Sequence, residues 1–401
     1  MNQVSDRLAS LSPSETLAMS QKSNELKAQG IDIINLSVGE PDFFTPEHIK
    51  AAAKKAIDDN FSFYSPVPGY MDLRKAICFK LKNENNLDFT PEQIVVSNGA
   101  KQSICNAILC IVNPGDEVII PAPCWVSIWV SYVEMVKLAE GKSVVIPSGI
   151  ENDFKITPAQ LEAAITPKTK AIILCSPSNP TGSVYSHDEL KALADVLAKY
   201  PQVIILADEI YEHINYIGGH QSIAQFENVR ERVAIINGVS KAYAMTGWRL
   251  GFSAASKEIT RAMNTIQGHV TSAANSITQK AAVEALTGDQ GSVEYMRVSF
   301  DERRKYIVEK LNSMKDISCM NSTGAFYVMP NVSKFYGKKY NGTEIKDSFD
   351  LCNYLLEEAN IAIVPGAAFE APDNVRISYS NSIENIIEGM DRMEKALMKL
   401  E

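Results

Sequence analysis

Seven short apolar runs constrain the fold of this 401-residue chain. They are Ile94-Val95-Val96, Val118-Ile119-Ile120, Val144-Val145-Ile146, Ile172-Ile173-Leu174, Val203-Ile204-Ile205-Leu206, Val233-Ala234-Ile235-Ile236 and Leu250-Gly251-Phe252. Each is too short for a core helix, most are rich in β-branched residues, and none alternates with polar residues. Such runs are strands buried on both faces. Helical stretches separate them, so the expected class is α/β: a seven-stranded, mostly parallel sheet covered by helices on both sides. In a sheet of this kind ligands gather at the carboxyl ends of the strands. Four polar motifs fall there: Asn98-Gly99-Ala100-Lys101, Ser178-Asn179-Pro180, Asp208-Glu209-Ile210-Tyr211 and Ser240-Lys241.

The rest of the chain frames this sheet. Ser12-Pro13-Ser14-Glu15 is a helix-start signal, and Gly30 ends the helix after about Gln29. Residues 31–36 read as a short strand leading into the stiff loop Gly39-Glu40-Pro41-Asp42. Helices are expected over 46–59 and 71–86, separated by the non-helical Tyr64-Ser65-Pro66-Val67-Pro68-Gly69-Tyr70. Long helices are expected over 256–286 and 291–313. A smaller α+β region then follows, with strands at 324–329, 361–364 and 375–379 and a helix near 347–359. Residues 331–343, polar and rich in Lys and Gly, read as a mobile surface loop. The expected division is an N-terminal arm over 1–45 that joins the small domain, a large domain over 46–290 and a small domain over 291–401.

Composition narrows the function classes. A net charge of -9 gives no electrostatic basis for nucleic-acid binding. No apolar run is long enough to span a bilayer, and the first residues lack a basic-then-apolar signal pattern. A cytoplasmic protein is expected. The seven Cys residues include no CxxC pair and read as small buried hydrophobes, with Cys124 as wall packing. The five His residues show no ligand spacing, so no metal is expected.

Lys241, just past a buried strand, carries the chemistry. An ammonium in an apolar site is costly unless it is paired, neutral or tied up as a Schiff base with an aldehyde cofactor. Arg249, between Gly247 and Gly251, suits bidentate capture of a phosphate. Gly99, Ala100 and Lys101 lie between a strand and a helix, where backbone N–H groups suit an anion. They do not form a P-loop, since GxxxxGK[ST] is absent.

With Ser176-Pro177-Ser178-Asn179-Pro180-Thr181-Gly182, Asp208 to Tyr211, the Lys241–Arg249 stretch and Arg376 in that order, the chain resembles the class I aminotransferases. These enzymes use pyridoxal 5′-phosphate (PLP). The resemblance covers nearly the whole length. It is closest to the bacterial-type aspartate aminotransferase branch, through Gly39-Glu40-Pro41-Asp42, Pro121-Ala122-Pro123-Cys124-Trp125-Val126-Ser127 and Ala244-Met245-Thr246-Gly247-Trp248-Arg249.

The resemblance implies a role for each matched residue. Lys241 forms the Schiff base and serves as the proton-transfer base. Asp208 keeps the pyridine nitrogen protonated. Asn179 and Tyr211 hydrogen-bond the ring hydroxyl oxygen, and Trp125 stacks on the ring. Gly99, Ala100, Lys101, Ser240 and Arg249 surround the phosphate. Tyr64 reaches the phosphate of the partner subunit, which implies a homodimer with shared sites. Arg376 takes the substrate α-carboxylate, and Gly39 lines that subsite through its backbone. Lys101 is linked to the distal carboxylate of acidic substrates; a cation at a helix start otherwise opposes the helix dipole. One position departs from the family: a hydroxyl residue often stands three before the lysine, and here it is Gly238. The implied reaction moves the amino group of L-aspartate to 2-oxoglutarate through a pyridoxamine form. The alternatives are an aromatic, prephenate or alanine preference, or a PLP-dependent C–S lyase on the same fold.

Overall fold

The computed structural model describes residues 15–124 and 132–401, with side chains from residue 21 onward. The Ser12-Pro13-Ser14 cap and Trp125 lie outside the described residues. The first helix spans Glu15–Ala28, and Gly30 follows with φ +86°, where a side chain would be strained.

Strand β1, Ile34–Asn35, pairs in parallel with Ile361–Ala362. All seven apolar runs then form one sheet. Its strands are β2 (Ile94–Ser97), β3 (Glu117–Ala122), β4 (Lys142–Pro147), β5 (Thr169–Cys175), β6 (Ile204–Asp208), β7 (Val233–Gly238) and β8 (Gly251–Ala254), in the order β2-β8-β7-β6-β5-β3-β4. Strands β3, β4, β5, β6 and β7 pair in parallel, while β8 pairs antiparallel with both β7 and β2. Six strands therefore point one way and only β8 is reversed. The connection from β7 to β8 stays at one edge of the sheet, and it carries Ser240, Lys241 and Arg249.

Why the runs lack polar alternation is visible in the packing. Ile94, Val96, Ile119, Ile172, Leu174, Ile205, Val233 and Ile235 face one core, closed by helices Glu47–Asp58, Met71–Asn85, His187–Ala198 and Ser276–Thr287. Val95, Val118, Ile120, Ile173, Leu206, Ala234 and Ile236 face another, closed by Ala100–Ile111, Tyr132–Leu138 and Lys257–Val270. Consecutive residues point to opposite faces, and both faces are covered. Each large aliphatic residue buried this way contributes about 1.5–3 kcal/mol. The edge strand β4 is the exposed one.

A third core gathers Ile34 and Leu36 with Phe300, Ile307 and Leu311 of helix Gly291–Ser313, Leu355 of Ser348–Ala359, and Met390 and Met393 of Ile383–Leu397. Its small antiparallel sheet runs Val364–Pro365, Val375–Ser378, Tyr327–Val328. Ile210, Tyr211 and Ile214, from the turn after β6, pack into the same core.

The structure corrects three expectations. The helix expected over 256–286 is two helices, Lys257–Val270 and Ser276–Thr287. Ser272 takes φ +60° and the Asn275 side chain caps the second helix by accepting from Thr278 N. The strand expected over 324–329 is confined to Tyr327–Val328. Residues 331–343 are not a plain loop. Val332 and Phe335 are buried, and Lys339–Tyr340 pairs with Thr343–Glu344 across Asn341-Gly342, both at positive φ. That dipeptide is the standard two-residue hairpin turn. Among the described residues no helix is long and apolar enough to cross a membrane.

Candidate active site

The carboxyl edge of the sheet brings most of the expected residues together. Lys241 Nζ donates to the carbonyl of Gly39 at 2.5 Å and lies 5.6 Å from the centre of the Tyr211 ring. Burial disfavours its charged form, and the positive charges of Arg376 and Arg249 add to this against Glu40 and Asp208. The amine is lowered to about 8. Half of it is therefore neutral near pH 8.

Asp208 ends β6, the strand beside β7, and is buried. Burial pushes its carboxyl above the usual range. Tyr132 donates to its Oδ2 at 2.6 Å, and the Ile210 N–H donates to Oδ1 at 3.3 Å. Tyr211, three residues on, exchanges a hydrogen bond of 2.9 Å with the Tyr327 hydroxyl.

Arg376 comes from strand Val375–Ser378 and is fully enclosed, 2% exposed. Nη1 donates to Asn179 Oδ1 at 3.0 Å and Nη2 to the Ser37 carbonyl at 2.6 Å. Its guanidinium lies 4.7 Å from the Tyr327 ring centre and 4.9 Å from that of Phe369. Among the described residues its buried Nε has no hydrogen-bond partner.

Arg249 takes φ +55° as it turns into β8. Nη1 donates to the Thr246 carbonyl at 2.9 Å and Nη2 to that of Asn98 at 3.4 Å. Gly99 precedes helix Ala100–Ile111 with φ +86°; a Cβ there would lie 2.4 Å from Arg249 Nη2. A Cβ on Gly251 would lie 2.2 Å from Ala100 N. Only glycines let the guanidinium and the helix start converge. Ser240 is buried beside Lys241. Lys101, half-buried in the first turn of that helix, is lowered to about 8 by burial and by Arg249. At Gly238 a Cβ would lie 2.8 Å from both Gly251 Cα and the Leu250 carbonyl. The hydroxyl residue common in the family has no room at this point.

One expected residue is elsewhere. Tyr64 is 99% exposed, away from the cluster of its own chain. Three residues that touch the cluster were not foreseen: Tyr132, Tyr327 and Ser37. Tyr327 follows Phe326 in an apolar strand signal and reads as core. Tyr132 has no local signal, because its contact with Asp208 is made across the fold.

These residues fit PLP. An amine with a depressed pKa, in the turn after β7, stands near an enclosed carboxyl at the end of the adjacent strand β6. The helix start and Arg249 form a cradle that a Cβ on Gly99 or Gly251 would fill. Comparison with known proteins agrees. Residues 31–393 match the family model described as aminotransferase class I and II. An aspartate/prephenate aminotransferase of Cereibacter sphaeroides is 48% identical over 394 residues, covering 98% of each chain. An aspartate aminotransferase of Pinus pinaster is 45% identical over 408 residues, covering 99% of this chain and 81% of that one. The crystal structure of the aspartate aminotransferase from Rhizobium meliloti superposes with a TM-score of 0.96 at 40% identity, covering 100% of both chains. That of the Thermus thermophilus aspartate aminotransferase with maleate gives 0.92 at 38% identity, covering 99% of this chain and 100% of that one. A cationic pocket built around a half-buried lysine, on this sheet and with these relatives, places the chain among the class I and II aminotransferases, PLP-dependent enzymes that act on amino acids and 2-oxo acids.

Proposed function

We propose that this chain transfers the α-amino group of L-aspartate to 2-oxoglutarate, giving oxaloacetate and L-glutamate. The observation that carries the reading is a pair of cations in the cluster, Arg376 near Lys241 and Lys101 near Arg249. Arg376, enclosed and oriented by Asn179 and Ser37, suits an α-carboxylate. Lys101, half-buried at a helix start, suits a second carboxylate. Prephenate is the second reading, supported by the aspartate/prephenate relatives.

PLP, when bound, supplies an aldehyde and an electron-accepting ring. The protein supplies the rest. Lys241 would anchor the aldehyde and, once released from it, would move the substrate's Cα proton with its Nζ, whose charged form burial disfavours. Asp208 holds the proton of the pyridine nitrogen, and Tyr132 fixes one of its oxygens. Tyr211 and Asn179 would hydrogen-bond the ring hydroxyl oxygen, and stacking on the ring is the role proposed for Trp125. Gly99, Ala100, Ser240 and Arg249 hold the phosphate. Gly39 lines the carboxylate subsite.

We also propose a cytoplasmic homodimer in which Tyr64 serves the phosphate of the partner subunit. Its near-complete exposure, beside exposed Phe63 in the same loop, supports this. The proposed division is an arm over 1–45, a large domain over 46–290 and a small domain over 291–401.

The test is the visible absorption of the PLP-loaded protein before and after adding L-aspartate without a keto acid. Loss of the visible band on aspartate supports the proposal. A band unmoved by aspartate but lost on phenylalanine or alanine overturns the aspartate preference. Pyruvate release from cystathionine without amino transfer would identify a C–S lyase instead.

A further inference from the structure

Beneath the turn that carries Asp208 and Tyr211 lies a buried polar cluster with Glu212 at its centre. The Glu212 side chain is 3% exposed and that of Lys80, from helix Met71–Asn85, is 1% exposed. Lys80 Nζ pairs with Glu212 Oε1 and donates to Asn85 Oδ1 at 2.7 Å. Asn85 Nδ2 donates to Glu212 Oε2 at 2.8 Å, and Asn237 Nδ2 donates to Glu212 Oε1 at 2.7 Å. Burial alone would raise the Glu212 carboxyl, but Lys80, with His213 and His220, holds it well below the usual range. Lys80 supplies the cation that balances Glu212 and ties it to helix Met71–Asn85.

A buried ion pair is a poor source of stability compared with apolar packing, and its use is geometric. Here the geometry has a clear object. The β6–β7 ladder has its last registered pair at Asp208 and Ile236. One further backbone bond, Glu209 N to the Ile236 carbonyl at 2.9 Å, follows it. Past that point the two chains separate, one toward Tyr211 and the other toward Lys241. Glu212 sits next to Tyr211, and Asn237 sits four residues before Lys241. Their hydrogen bond joins the two segments where the ladder no longer does. The end of helix Met71–Asn85 braces the joint through Lys80 and Asn85.

We propose that Glu212, held by Lys80, is a positioning residue: it sets Asp208 and Tyr211 against Lys241. This rests on the roles given above to those three residues. Arg376 and Asn179 are tied to each other and to Ser37, outside this cluster.

The experiment uses the PLP-loaded protein and reads the pH midpoint of its visible band, kcat and KM. Glu212→Gln removes the negative charge and one acceptor. The expected result is a midpoint moved by about half a pH unit and kcat lowered about tenfold or more, with KM for L-aspartate within about threefold. The control is Arg304→Met in the small α+β region, which breaks a part-buried pair with Asp301. It should lower the melting temperature and leave the midpoint in place. A Glu212→Gln protein that melts earlier but keeps the wild-type midpoint and kcat overturns the proposal. If that variant does not fold, Asn237→Ala removes one bond to Glu212 and must move both readings in the same direction; unchanged readings overturn the proposal. A wild-type protein with no visible band in the presence of PLP overturns the reading of the site itself, and this proposal with it.

Discussion

Asp208 depends on a residue 76 positions away, since the Tyr132 hydroxyl holds its Oδ2 at 2.6 Å. A hydrogen bond to a charged group contributes about 1.5–3 kcal/mol. Tyr132→Phe should therefore lower kcat by about tenfold to a hundredfold with little change in KM, read by steady-state kinetics. Lys101 makes a different prediction. Lys101→Ala should raise KM for aspartate far more than for phenylalanine; equal rises would show that it does not read the distal carboxylate. At this scale the sequence was legible where function sits in short motifs at strand ends. Lys241, Asp208, Asn179 and Tyr211 each follow or end an apolar run, and chemistry explains their type. Tyr132 and Tyr327 were not legible. Each is an aromatic residue in an apolar context, and only the folded neighbours give its hydroxyl a purpose.

The reversed strand β8 is the element that closes the site. Its register places Gly251 opposite Gly238, so two backbones meet where side chains would normally stand. Gly251→Ala would put a Cβ 2.2 Å from Ala100 N and 2.5 Å from the Gly99 carbonyl carbon. Overpacking of this kind costs about 1–3 kcal/mol, and here it pushes on the helix start that cradles the phosphate. The expected outcome is weaker PLP retention, measured as the cofactor's dissociation constant, beside a lower melting temperature. All seven strands could be read because each run was short, branched and apolar. The break between Val270 and Ser276 was hidden, since helical periodicity continues across it and the interruption is a backbone turn at Ser272. The hairpin at Asn341-Gly342 had a local signal, but the polar, Lys-rich composition around it outweighed that signal.

At the scale of the whole molecule, Tyr64, Phe63 and Phe44 are exposed aromatic residues from two loops. The proposed sharing of sites makes a sharp prediction for mixed dimers. Tyr64→Ala and Lys241→Ala chains, each weak or inactive alone, should regain activity when unfolded together and refolded as a mixture. In a hybrid, one site combines an intact Lys241 with an intact Tyr64 from the other subunit. A mixture no more active than the mean of its parents would place Tyr64 outside the site. The four apolar-to-polar boundaries at one sheet edge made the location of the site readable from one chain; the proposal that a second copy completes it rests on family resemblance.

The hydrogen bond from Lys241 to the Gly39 carbonyl has one more consequence. It exists only while the amine is free to donate. Whatever consumes the amine lets go of the segment that leads from β1, and that segment also carries the Ser37 carbonyl bound to Arg376. Linkage works in both directions. A change that pins residues 36–42 more tightly must make the lysine harder to engage, by the same free energy. The loop before the first large helix is thus a thermodynamic partner of the lysine, and a substitution there can tune the reaction without touching any reacting atom.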